Sequence, residues 1–294
     1  MRLSLLTETQ KILKQHGFRP KKRLGQNFLV DEHVLEAVVE AAEIKGQETV
    51  IEIGPGLGLL TRQLCRAAGW VLAIELDPSL FSILKRQLAG FPNLSLVQSD
   101  VLAFDLESWL SQGGHQGKAK VVANLPYYLS TPLLFQLLAY RHLFSLWVLM
   151  VQKEVAERIG ARPGSKDYGS LSIALQLYGE VEPVLSVSKE AFYPRPQVDS
   201  AVLKIRMREE PRAKIEDETL FRELVRSAFS QRRKMLRNAL ARQMVPGLKQ
   251  EVWERAFANA GIASQRRGET LSIEEFARLA NQLHRERERD VSHR

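Results

Sequence analysis

The chain has 294 residues, 45% hydrophobic and 26% charged, with a formal net charge of +8. That length holds one or two domains and ample material for a buried core. No apolar run reaches the roughly 18 residues of a membrane-spanning helix, and the first residues lack the apolar core and small-residue cleavage site of a signal peptide, so a cytoplasmic protein with no membrane partner is expected. Cys65 is the single cysteine, which excludes an internal disulfide and a thiolate metal cluster. It falls in a helical apolar pattern and reads as a small core residue. A basic excess points to a polyanionic partner, most often nucleic acid, with plain solubility as the alternative.

The first 25 residues are polar and basic, with Lys11, Lys14, Arg19, Lys21, Lys22 and Arg23. A short helix is expected over 7–16 and a loop over 17–24. Asp31 then caps a helix running through Val34, Leu35, Val38, Val39 and Ala42. From residue 48 the pattern is strand, turn, helix, repeatedly. Strands are expected at 49–53, 70–75, 94–98, 120–123 and 146–151, with helices at 78–88 and 132–140. Each strand is a continuous apolar run, as in a parallel sheet covered on both faces, and the alternation gives an open α/β sheet. Two further strands, 184–187 and 201–206, have no long helix between them and form an edge hairpin. The charged, proline-containing segment 207–213 reads as a linker. Beyond it only helical stripes occur: one through Phe221, Leu224, Val225 and Ala228 and on through Leu236, Ala239 and Leu240, a second through Val252, Ala256 and Phe257, and a third through Ile273, Phe276, Leu279 and Ala280. The expected division is a sheet domain, 1–207, and a small all-helical domain, 214–294, with a frayed, charge-alternating tail over 285–294.

A glycine-rich turn, Glu52-Ile53-Gly54-Pro55-Gly56-Leu57-Gly58, joins the first of these strands to a helix. Glycines let backbone approach a ligand closely, and a helix N-terminus offers free N–H groups. The dinucleotide fingerprint wants Gly or Ala at position 59, where this chain has Leu59. The spacing G-x-G-x-G with Glu52 ahead of it fits S-adenosylmethionine better than a pyrophosphate. Glu75 ends the next strand, 21 residues after Gly54, where a carboxylate accepts from both ribose hydroxyls. Asp100 ends the third strand, placed to accept from an adenine amine, and Asn124 ends the fourth. In an open α/β sheet these ends converge on one crevice. Taken singly, Glu75 and Asp100 serve equally well as helix caps.

The apolar run Val121-Val122-Ala123 closes on Asn124-Leu125-Pro126-Tyr127. The N6 amine of adenine is a poor nucleophile, because its lone pair is delocalised into the ring. The Asn124 side-chain oxygen and the Pro126 carbonyl can each accept one of its N–H bonds, turning the lone pair outward and stabilising developing positive charge. Proline stiffens the turn, and Tyr127 can stack on a flipped base. Positioning for in-line displacement then supplies most of the rate, without a general base. His16, His33, His115, His142, His284 and His293 are scattered and show no metal-ligand spacing, so no metal is expected.

These residues resemble the adenine-N6 methyltransferases of ribosomal RNA. They are most similar to the small-subunit rRNA dimethyladenosine transferases, the family whose loss gives kasugamycin resistance. Three further stretches look like that family's motifs: Lys22-Arg23-Leu24-Gly25-Gln26-Asn27-Phe28-Leu29, Phe192-Tyr193-Pro194-Arg195-Pro196-Gln197-Val198-Asp199-Ser200, and Gln231-Arg232-Arg233-Lys234-Met235-Leu236-Arg237-Asn238. The resemblance covers nearly the whole chain. It implies a seven-stranded, Rossmann-like methyltransferase sheet with a helical C-terminal domain. It implies that Asn27 and Leu29 bind S-adenosylmethionine alongside Gly54, Glu75, Asp100 and Asn124, and that Phe192 stacks on the target adenine opposite Tyr127. The implied reaction is dimethylation of two adjacent adenosines in the 3′-terminal hairpin of 16S rRNA, within a late small-subunit precursor, by a monomeric enzyme. Position 128 is Tyr where many relatives carry Asn, just outside the acceptor pair. Read without the resemblance, the amide side chains of 22–29 serve as helix caps or as cofactor ligands, and Phe192 is an exposed aromatic on a stiff loop or one packed beneath the sheet.

Arg222, Arg226, Arg233 and Arg237 recur at helical spacing, with Arg232, Lys234 and Arg242 nearby. If one helix carries them all, they form a basic ridge for ribosomal RNA, against the ordinary alternative of a solvated face. Residues 164–169 read as a mobile loop near the crevice. Competing readings are a large-subunit rRNA methyltransferase of the macrolide-resistance type, a non-catalytic nucleic-acid-binding relative, and a nicotinamide-dependent dehydrogenase. The helical C-terminus, the intact Asn124–Tyr127 turn and the glycine spacing weigh against them in turn.

Overall fold

The computed structural model describes residues 4–113, 117–127, 129–231, 234–243 and 250–292. The chain divides into two compact units, 1–156 with 180–207 and 157–179 with 208–294. The expected sheet domain, 1–207, therefore loses 157–179 to the helical unit. The reason is apolar burial, because Tyr168, Ile173 and Leu177 lie in the helical core.

The first unit runs α1 (Leu5–Gln15), β1 (Phe28–Leu29), α2 (Glu32–Ala41), β2 (Thr49–Ile53), α3 (Leu59–Ala67), β3 (Trp70–Glu75), α4 (Pro78–Gln87), β4 (Leu94–Gln98), α5 (Leu106–Gln112), β5 (Ala119–Asn124), α6 (Ser130–Ala139) and β6 (Phe144–Gln152). After α7 (Lys153–Gly160) and α8 (Ser170–Tyr178), it is completed by β7 (Gly179–Val187), β8 (Phe192–Tyr193) and β9 (Ser200–Met207). Asp31 caps α2 by accepting from the Val34 amide at 3.1 Å.

The seven-stranded sheet has the order β4-β3-β2-β5-β6-β9-β7. Strands β2 to β6 pair in parallel, and β9 lies antiparallel to β6 in the register Gln152↔Ser200 to Leu146↔Arg206. The hairpin expected at the edge is present, with β9 inward of β7. Strand β2 is buried along its whole length, which explains its continuous apolar run. The chain winds from β2 outward to β4, returns to lay β5 against β2, and winds the other way to β6. The carboxyl ends of β2 and β5 therefore border the topological switch point, where such sheets open a crevice. Beside this sheet, β1 and β8 make a two-stranded antiparallel ribbon, Phe28↔Tyr193 and Leu29↔Phe192. Cys65 is buried as expected.

The second unit is helical: α8, α9 (Glu218–Ser230), α10 (Leu236–Gln243), α11 (Gln250–Ala260) and α12 (Ile273–Ser292). Its core gathers Leu220, Leu224, Leu236, Leu240, Phe276 and Leu279. Three expectations change here. The 207–213 segment is tied down, with the Arg208 and Arg212 amides donating to the carbonyls of Tyr178 and Leu177 at 2.8 Å. The 164–169 loop is anchored: Tyr168 is fully buried, edge-on to Phe229 at 5.9 Å, and the Gly164 amide donates to the Glu269 carbonyl at 2.7 Å. The charge-alternating tail does not fray at residue 285, because α12 continues to Ser292. Charges at its start are paired, with buried Glu286 accepting from Arg255 at 2.6 Å and from Arg289 at 2.8 Å.

Candidate active site

Most of the residues that shape the crevice come from β-strand ends or the turns that follow them; the remainder come from the 24–29 strap and from helices. Asn27, Leu29, Gly54, Glu75, Asp100, Asn124, Pro126 and Tyr127 all line it. Phe192 does not. It is 4% exposed and packed in the sheet unit's core, because its pairing with Leu29 turns it inward. The exposed aromatic considered for this position is thus replaced by a core residue.

The glycine turn is built by conformation. Gly54, Gly56 and Gly58 have φ of 69°, 61° and 78°, a region side chains disfavour. A Cβ at Gly56 would stand 3.1 Å from the Phe28 ring, and one at Gly58 would stand 2.9 Å from Leu84 Cδ2. Phe28 thereby closes the strap onto the turn. Gly58 caps α3 without a side chain, so the first amides of that helix stay available to a ligand.

Glu75 ends β3 and is 5% exposed. Its Oε2 accepts from the Gly56 amide at 3.2 Å and its Oε1 from the Asp77 amide at 2.8 Å. Burial outweighs these bonds and raises its pKa to about 7. Glu52 lies deeper, 2% exposed, and its Oε2 has no hydrogen-bond partner. Burial pushes it to about 8, with the Thr61 hydroxyl opposing and the neighbouring Glu75 adding to the rise. The crevice thus holds carboxyl groups that gain from a cationic guest. Asp100 lies two residues beyond the end of β4, exposed, and its Oδ1 accepts from the Leu102 amide at 2.9 Å. It caps that turn with one oxygen.

In the Asn124–Tyr127 turn, the Asn124 amide nitrogen donates to the Asn27 carbonyl at 3.3 Å, which leaves its oxygen as an acceptor. The Pro126 carbonyl, expected as the second acceptor, takes the Leu129 amide at 3.0 Å and the Ser130 hydroxyl at 3.3 Å. Both its lone pairs are used as the chain turns into α6. Tyr127 is half-buried, its hydroxyl 2.8 Å from Ser200 Oγ, and burial raises its pKa. Tyr128 lies outside the described residues.

Residues that the sequence pattern did not single out complete this site. Asp77 was hidden by its other role, since Asp before Pro at a helix start reads as a cap, and it does cap α4 through the Ser79 amide. Its other oxygen holds Lys21 and Gln26, pairings that no local pattern signals. Ser200, the partner of Tyr127, closes the Phe192–Ser200 stretch, 73 positions away, where no local pattern marks it.

The basic ridge was conditional on one continuous helix. Instead α9 ends at Ser230 and α10 begins at Leu236. Lys234 and Arg237 are exposed on the α10 side, while Arg232 and Arg233 lie outside the described residues. Among the described residues no cluster suited to a metal ion occurs, and no helix is long and apolar enough to cross a membrane.

A seven-stranded, mostly parallel sheet with a glycine turn, an acidic crevice and an Asn-Leu-Pro-Tyr turn at its switch point defines a methyltransferase of the α/β class. The model of the ribosomal RNA adenine dimethylase family matches residues 17–285, and the chain belongs to that family. A protein of Bacillus mycoides (strain KBAB4) named ribosomal RNA small subunit methyltransferase A is 47% identical over 277 residues, spanning 94% of this chain and 95% of the relative. A relative of the same name from Bacillus anthracis (strain CDC 684 / NRRL 3495) matches at the same identity and coverage. Among solved structures, a dimethyladenosine transferase from Plasmodium falciparum superposes with a TM-score of 0.74 at 27% identity, covering 88% of this chain and 98% of that one. The 23S rRNA methyltransferase ErmE superposes with a TM-score of 0.65 at 28% identity, covering 88% and 100%.

Proposed function

We propose that this protein dimethylates the N6 amines of two adjacent adenosines in the 3′-terminal hairpin of 16S rRNA, using S-adenosylmethionine. The observation that carries the reading is the joining of an acidic nucleoside crevice and the Asn124–Tyr127 turn on one sheet edge, in a member of the rRNA adenine dimethylase family. The names of the relatives at 47% identity favour the small subunit over the large.

S-adenosylmethionine, when bound, supplies a methyl group already activated on a sulfonium, so no general base is required. Glu75 accepts from the ribose hydroxyls. Asp100 offers its second oxygen to the adenine amine of the cofactor. The unpartnered Glu52 oxygen and the first amides of α3 suit the charged amino-acid end. Asn27, Leu29 and Gly54 close the crevice around it. On the target side, Asn124 Oδ1 accepts one N6 hydrogen. With the Pro126 carbonyl saturated, the carbonyl of Leu125 is the turn's acceptor for the other. Tyr127, held through Ser200, supplies the stacking face, and buried Phe192 supports that wall from beneath rather than touching the base. Lys234 and Arg237, with Arg232 and Arg233, meet rRNA phosphates from the helical unit. The protein acts as a monomer in the cytoplasm, on a late small-subunit precursor.

The test is incubation with labelled S-adenosylmethionine and immature small or large subunits, followed by mapping of the modified base. Label in the 3′-terminal hairpin of 16S rRNA is expected. Label confined to 23S rRNA, or none in either, overturns the assignment.

A further inference from the structure

The strap over the crevice, residues 21–29, is fastened at more than one point. On the β5 side, the Asn27 carbonyl receives the Asn124 amide, and Phe28 and Leu29 pair with β8. On the β3 side the fastening is ionic. Asp77 Oδ2 receives the Lys21 ammonium at 2.8 Å and the Gln26 amide at 2.9 Å. The Lys21 backbone N–H donates in turn to Gln26 Oε1 at 2.7 Å. Those bonds close a ring of three residues, and the Asp77 side chain within it is fully shielded from solvent. The Asp77 backbone amide donates to Glu75 Oε1 at 2.8 Å. One residue therefore joins the strap to the carboxylate assigned to the ribose.

We propose that Asp77, with Lys21 and Gln26, is a clasp: it holds the strap down on the crevice and fixes Glu75 in the same stroke, coupling strap closure to cofactor retention. Asp77 is a positioning residue in this scheme, since it reaches the cofactor only through Glu75 and the strap. The proposal rests on the S-adenosylmethionine reading of the crevice. Three features separate the clasp from ordinary surface pairing. The acidic partner is buried, where charge-assisted bonds are strongest. Two donors from the strap converge on one oxygen, so both fastenings depend on a single side chain. The clasp also lies on the strap segment that forms the crevice wall, residues 24–29, so that Gln26 belongs to both while Lys21 stands outside the wall and reports on the clasp alone. Desolvation opposes the ionised Asp77, yet the bonds from Lys21, Gln26 and the Ser79 amide hold its pKa below the ordinary value, so the clasp stays charged through neutral pH.

The test uses Lys21→Met and Gln26→Leu in the full chain, which leave the Asp77 cap of α4 intact, with Lys21→Arg as the conservative control. Three quantities are measured: amide exchange of residues 21–30 without ligand, the affinity and dissociation rate of S-adenosylmethionine, and KM for it against kcat. In Lys21→Met and Gln26→Leu, strap exchange should quicken, affinity should fall about 5- to 50-fold through faster dissociation, a range typical of coupled sites, and KM should rise more than kcat falls. Lys21→Arg should restore most of the affinity. Unchanged strap exchange in both variants overturns the clasp. Quickened exchange with wild-type affinity overturns the coupling alone. A wild-type chain that binds no S-adenosylmethionine overturns the functional reading and the coupling together, while the ligand-free exchange still decides the clasp.

Discussion

Replacing Glu52 by Gln should stabilise the protein by an amount that grows with pH. Glu52 is 2% exposed on the central strand β2, and its pKa rises from 4.5 to about 8, chiefly through burial. A carboxyl whose folded pKa is raised contributes fully to stability below its unfolded value and loses that contribution as pH climbs to the folded one. Between 4.5 and about 8, the folded chain must keep a proton that the unfolded chain releases. At about 1.4 kcal/mol per pH unit, the cost reaches about 3 kcal/mol at around pH 7 and stays below about 1 kcal/mol near pH 5. The Gln amide has the shape and neutral charge of the protonated acid and carries no such cost. Glu75 titrates in the same direction, to about 7, so the wild-type slope should flatten in Glu52→Gln without vanishing. Urea unfolding of both proteins across about pH 5 to 8, with the linear slope checked for equality, reads the difference. Parallel stability profiles, or a variant destabilised at neutral pH, would refute the account of Glu52 as a buried protonated acid.

Asn124→Ala should lower methylation by about a hundredfold or more, in line with loss of a preorganised transition-state partner, while S-adenosylmethionine affinity measured by calorimetry stays within a few-fold; full activity sinks the acceptor role. Phe192→Leu keeps an apolar core side chain and should preserve much of the activity. Phe192→Ala should cost about 3 kcal/mol in unfolding experiments, and a large activity loss in the well-folded Leu variant would instead restore the ring to the target base. Neutralising Lys234 and Arg237 together should weaken small-subunit binding and reduce the slope of log affinity against log salt by about one for each phosphate left without its cation; an unchanged slope rejects a phosphate-binding role for these residues.

Much of the sheet was legible, because buried parallel strands announce themselves as apolar runs: 49–53 and 70–75 match β2 and β3 in full, and 94–98 matches β4, a half-buried strand carried by its place in the alternation. That Gly54, Glu75 and Asn124 would meet in one crevice was legible for the same reason, since they sit at or just beyond strand ends. What failed depended on non-local partners. Phe192 looks exposed beside its prolines, but pairing with Leu29 buries it. The Pro126 carbonyl looks free until α6 begins beneath it and takes both lone pairs. Arginines at helical spacing looked like one ridge, but the chain breaks between Ser230 and Leu236. Tyr168 sits among Gly, Ser and Lys in sequence, and only the helical core explains it. The clasp was invisible because Asp77 and Gln26 are 51 positions apart.

The borders between the two units fall at 156/157, 179/180 and 207/208, so the chain passes between them three times. During synthesis the sheet is incomplete until β9 emerges, and by then α8 has been waiting for a core that α9 to α12 have yet to supply. A fragment stopped at residue 207 would retain every crevice residue, yet it would present Tyr168, Ile173 and Leu177 to water. Shortening the protein to residues 1–207 should therefore yield an aggregating product unless 157–179 is replaced by a polar connection.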